Sequence, residues 1–169
     1  MYLKRAADGG ELIRVGRGFY AHPEYSPSEH TSLREAAQRY PSATICLLSA
    51  LRFHSLTTQN PFQVWLMVGR SAWKPTATYP PIRVVRASRE ALTEGIETHR
   101  IDGVDVRVTS PAKTVADCFK YRSKIGVDVA VAALRDAWRQ RKATMDDLHH
   151  FATIDRVAKV MQPYLESLA

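Results

Sequence analysis

No stretch of this sequence stays apolar for the roughly 18 residues a bilayer-spanning helix needs, and its first residues, MYLKRAADGG, lack the apolar core of a signal peptide. Both absences point to a cytosolic protein. Cysteine is scarce as well: Cys46 and Cys118 lie in the apolar runs ATICLLSAL and TVADCFKY, where a reduced cysteine serves as a small buried hydrophobe rather than a staple. No GxSxG elbow, Walker loop or dinucleotide fingerprint occurs. Ser49 and His54 are five residues apart without an orienting acid, so hydrolase and NTPase chemistry find no support. The histidines, His22, His30, His54, His99, His149 and His150, share no ligand spacing with cysteine or carboxylate. On a helix the consecutive His149 and His150 rings point about 100° apart and cannot easily share one metal. Neither a metal nor a cofactor is expected. Asp102 and Asp105 invite a nuclease reading, but no following strand supplies an acid and a lysine as E-x-K, and Asp102 is better explained as a turn residue.

What is present is ordinary in bulk and basic in balance. Apolar residues make up 45% and charged residues 24% of the chain, the composition of a folded globular protein. At 169 residues it can hold one sizeable core, or one domain with a small element attached. Lysine plus arginine outnumber aspartate plus glutamate by 24 to 17, for a formal charge of +7, and such a field attracts nucleic acid or an acidic partner.

Along the chain, residues 2 to 8 can form a short helix closed by Gly9-Gly10, and ELIRVGRGFYA sets Leu12, Val15 and Phe19 around Gly16-Arg17-Gly18 as a tight β-hairpin. His22-Pro23 and Ser26-Pro27 mark a linker. Residues 1 to 27 therefore form a small basic element, and 28 to 169 the main domain. Within that domain, Ser28 to Tyr40 reads as a surface helix of low apolar content, stopped by Pro41. ATICLLSALRFHSL combines a short strand with a helix, and QVWLMV and IRVVRA, at 63 to 68 and 82 to 87, are strands. IETHRIDGVDVRVTS is two alternating strands joined by Asp102-Gly103, a pair suited to a type I′ turn. Ser110-Pro111 then supplies a capping oxygen and a proline at the first helical position. Val127, Ala130, Val131, Leu134 and Trp138 form one helical stripe, Thr144 with Asp147 caps a further helix, and a last amphipathic helix carries Val157 to Leu168. The fold class expected is α+β with a helical C-terminal third.

Three groups of residues are candidate contacts. Lys4, Arg5, Arg14 and Arg17 gather on the N-terminal helix and hairpin, where they can meet phosphate. Arg135, Arg139 and Lys142, with Arg141, form a second cluster on the helix beginning at Val127. Arg70 and Lys74 flank Trp73 in the loop GRSAWKPTATYPP, where an exposed aromatic can anchor a partner. Trp65 and Trp138 are assigned to the core.

The order GELIRVGRGFYAHPE, LSALRFHSL and GVDVRVTSPAKTVADCFKYRSKIGVDVAVAALRDAW, across about residues 10 to 138, resembles the AbiEi family of bacterial antitoxins from type IV toxin-antitoxin systems. The resemblance implies an N-terminal winged helix-turn-helix that represses its own operon, joined to a domain that counters a nucleotidyltransferase-like toxin in abortive infection. By position, residues 2 to 7 match the end of the recognition helix and Leu12 to Ala21 the wing, with Arg14 and Arg17 at wing positions. Residues 28 to 169 match the antitoxin domain. The chain begins inside the third helix of that pattern, so operator binding is expected to be reduced to a remnant. The function this implies is a non-catalytic antitoxin and possible autoregulator. A stand-alone nucleic-acid-binding adaptor and, further off, a nuclease-related enzyme are the alternatives.

Overall fold

The computed structural model describes residues 30–72, 75 and 79–168, together with Arg5, 8–10, 13–16 and 19–21 of the N-terminal part. In that part, Arg5 and Asp8 are helical, and the Gly9 N–H donates to the Arg5 carbonyl at 2.9 Å. β1 (Ile13–Gly16) and β2 (Phe19–Ala21) pair antiparallel, Arg14 opposite Tyr20, as the hairpin pattern predicts. Residues 17–18 at its tip and the linker at 22–29 lie outside the described residues.

The main domain is a five-stranded mixed sheet with helices on both faces, an α+β fold. In chain order its elements are α1 (Thr31–Arg39), β3 (Thr44–Ile45), α2 (Leu47–Phe53), β4 (Val64–Gly69), β5 (Ile82–Ala87), α3 (Arg89–Thr93), β6 (Ile96–Ile101), β7 (Val104–Thr109), α4 (Pro111–Lys120), α5 (Arg122–Ile125), α6 (Val127–Arg139), α7 (Met145–Ile154) and α8 (Ala158–Glu166). The strand order is β5-β4-β3-β7-β6. β3 runs antiparallel to β4 and parallel to β7, so two residues, Thr44 and Ile45, join the β4–β5 pair to the β6–β7 hairpin.

Strand side chains alternate between faces, and two cores follow. Val64, Leu66, Val68, Val106 and Val108 face α1, joined by Leu33, Ala36 and Ala37 from that helix. The surface helix expected over Ser28 to Tyr40 thus proves half-buried: alanine, which reads as neutral in a sequence, lets α1 lie close to the sheet. On the opposite face Trp65, Met67 and Val85 meet α2, α4, α6, α7 and α8 around Phe119, Leu134, Leu148 and Met161. α4 lies at the centre, with Val115, Ala116, Cys118 and Phe119 all fully buried. The two cysteines are free and buried.

The local signals act where the sequence puts them. Asp102 and Gly103 take φ of 48° and 79°, the left-handed pair a type I′ turn requires, and register Ile101 against Val104. The Ser110 hydroxyl accepts from the Lys113 N–H with Pro111 in the first turn, and Thr144 and Asp147 exchange both bonds of a capping box. Among the described residues no helix is long and apolar enough to cross a membrane.

Candidate partner-binding surface

The face of α6 that packs inward is built from Ala130, Ala133, Leu134 and Ala137. That choice turns the ends of the expected apolar stripe outward: Val127 is 45% and Trp138 37% exposed. Trp138 is therefore not a core residue. Small alanines occupy the close approach to α4, and the indole is left at the rim, beside the turn into α7.

That turn closes α6 by a Schellman arrangement, Lys142 N–H to the Ala137 carbonyl at 2.9 Å and Arg141 N–H to the Trp138 carbonyl at 3.0 Å. Arg141 sits at φ 55°, a conformation that favours glycine. Trp138, Arg139, Arg141, Ala143, Thr144 and Met145 then line an open groove of about 540 Å³. Its lining is mostly apolar.

Each basic residue of this corner has a definite disposition. Arg139 pairs with Asp136 one turn back, and the Lys142 ammonium caps the His54 carbonyl while the Gln140 amide donates to the Ser55 carbonyl at 3.2 Å. Those last two bonds fasten the end of α6 to the end of α2. Arg135 is exposed on the same helix. The structure therefore places Arg135, Arg139, Arg141 and Lys142 at one corner, as the sequence grouped them, and adds Trp138.

The other candidates lie elsewhere. Arg70 is exposed just past β4, where the Arg86 guanidinium donates to the carbonyls of Gly69, Arg70 and Ala72 at 3.1, 3.1 and 2.7 Å. Trp73 and Lys74 lie outside the described residues, as do Lys4 and Arg17; Arg5 is exposed, and Arg14 is placed only as a backbone position in β1. Asp105 pairs with Arg100 at 2.9 Å across the β6–β7 hairpin, and His150 with Glu94 at 3.7 Å.

Two polar groupings escape the sequence reading. At the first, the His54 Nε2–H donates to the Thr109 carbonyl at 2.7 Å, which also receives the Thr114 hydroxyl at 3.1 Å, and burial lowers the His54 pKa. The His30, His54 and His99 rings surround Phe53, with His99 also meeting Glu97 at 3.3 Å. At the second, the Lys113 ammonium lies in the main core between the Asp117 and Asp155 carboxyls, meeting Asp155 at 3.1 Å. Gly95 makes room for that lysine, since a Cβ there would stand 2.8 Å from the Lys113 Cβ and 2.7 Å from the Phe151 ring. The i, i+4 spacing of Lys113 and Asp117 in KTVADCF, a largely apolar stretch, was the legible signal. Compared with known proteins, the chain matches no family model and no curated sequence.

Proposed function

We propose that this chain is a non-catalytic antitoxin of the AbiEi kind, acting in the cytoplasm through its α+β domain on a nucleotidyltransferase-like toxin. The observation that carries the reading is the α6–α7 corner, where a half-exposed tryptophan stands beside an apolar groove among Arg135, Arg139, Arg141 and Lys142. Tryptophan and arginine are the residues that most often dominate binding energy at protein interfaces. The groove suits an apolar or aromatic side chain flanked by carboxylates, and the chain's charge of +7 speeds its encounter with such a surface. The resemblance of residues 10 to 138 to AbiEi antitoxins supplies the class of partner.

The test is co-expression with a nucleotidyltransferase-like toxin of the type IV class. The wild-type chain restores growth and is retained by the tagged toxin. Trp138→Ala with Arg141→Glu keeps the circular dichroism spectrum and loses both, at a cost of about 2 kcal/mol or more in binding. Failure of the wild type to protect ends the antitoxin reading. Full protection and retention by the double variant end the assignment of the corner.

A further inference from the structure

The core beneath α4 contains more acid than base. Lys113 brings one positive charge, Asp117 and Asp155 bring two carboxyls, and the three side chains are 0%, 1% and 0% exposed. Both carboxyls spend Oδ1 on the same ammonium, and Oδ2 of each is buried without a hydrogen-bond partner. With both acids ionised the site carries a net negative charge buried on the side of the sheet that holds the larger apolar core, where an uncompensated ion costs several kcal/mol. Among the described residues, Cys46 at the start of α2, Cys118 on α4 and Tyr121 at its end interact electrostatically with the cluster, and none of these three brings a positive charge.

We propose that the Lys113–Asp117–Asp155 cluster holds one proton between its two carboxyls at neutral pH, and that this proton locks α4 to the corner between α7 and α8. With it the site balances: ammonium, one carboxylate, one neutral acid. The acid hydroxyl also turns an unpartnered acceptor into a donor toward the other carboxyl. The electrostatics agree with the geometry. Burial pushes the Asp117 pKa well above its ordinary value, the Lys113 charge pulls against this, and the facing Asp155 carboxyl pushes it further up. Burial by itself would lower the Lys113 pKa, but the two facing carboxyls more than offset it, so the amine also holds its proton more firmly than usual.

Both shifts are upward, so the folded cluster retains protons that the unfolded chain releases. Its stabilising contribution is complete below the unfolded carboxyl value of 3.8 for Asp117, and is lost as pH rises through the folded value. Lys113 behaves in the same sense above 10.5. The lock therefore opens toward alkaline pH.

The experiment is carbon NMR of the full chain labelled with [¹³Cγ]-aspartate, followed from neutral to alkaline pH. One aspartate carboxyl is expected at the position of a protonated acid at neutral pH, moving only in the alkaline range. It vanishes in Asp117→Asn and persists in Asp105→Asn, an exposed control. Asparagine imitates the neutral acid, so Asp117→Asn also flattens the decline of stability as pH rises above 3.8. Should that variant not fold, the wild-type spectrum with its Asp105→Asn control decides. A wild-type spectrum in which every aspartate is ionised at neutral pH overturns the proposal, as does a protonated resonance that survives in Asp117→Asn.

Discussion

Arg141 occupies a position most helices give to glycine. Its φ of 55° is matched by Ser55 at 59° and Arg156 at 58°, and each residue closes a helix by the same pair of backbone bonds. A left-handed side-chain residue costs about 1–2 kcal/mol, part of which glycine returns as entropy of the unfolded chain. Arg141→Gly is therefore expected to stabilise the fold by about 0.5–1 kcal/mol in urea unfolding, while weakening retention by the toxin; a destabilised variant would show that the arginine supports the fold. His54 makes a different claim. Burial lowers its pKa below 6.5, so its contribution is present above that value and is lost as pH falls through the folded one. His54→Gln, which keeps an N–H for the Thr109 carbonyl, is expected to flatten the decline of stability between neutral and mildly acidic pH, read from urea midpoints. An unchanged acid limb would assign it elsewhere. These residues were poorly legible because sequence signals for helix ends look for glycine, and because Lys113 shows only one of its partners nearby. Asp155 lies three helices further on, at the end of α7, and no spacing rule connects it to α4.

The helices and strands themselves were more legible, for a physical reason. Where backbone geometry is set by a local hydrogen bond, as at Ser110-Pro111, Asp102-Gly103 and Thr144 with Asp147, the residues responsible are adjacent and their chemistry is specific. Thr144→Ala is expected to cost about 1 kcal/mol by removing the hydroxyl that accepts from the Asp147 N–H, while the residue 144 N–H still donates to the Asp147 carboxylate. The unfolding midpoint measures this, and a change below a few tenths of a kcal/mol would mean that packing of Leu148 and Phe151 holds α7 unaided. The short α3 and α5 were not anticipated, since five and four residues show no apolar period. Trp138 was misplaced for another reason. Periodicity identifies the apolar side of a helix, but alanines at 130, 133 and 137 decide which part of that side approaches its neighbour. The candidate surface was legible in its arginines and illegible in its tryptophan.

At the scale of the whole molecule, two halves of the sheet meet through β3 alone, with Ile45 opposite Leu66 on one side and Val108 on the other. The β6–β7 hairpin has contacts close in sequence and a turn already shaped for it, whereas Ile45 and Val108 must find each other across most of the domain. Loop closure of that length is paid for before the contact rewards it, which places the β3–β7 pairing late in folding. The two regions should then separate kinetically. Gly103→Ala, straining a φ of 79°, is expected to slow refolding, while Ile45→Val leaves refolding nearly unchanged and accelerates unfolding. Stopped-flow chevrons measure both, and equal slowing of refolding by the two variants would place the central strand in the nucleus. A strand only two residues long thereby acts as the clasp that sets the lifetime of the folded molecule, closing last and opening first.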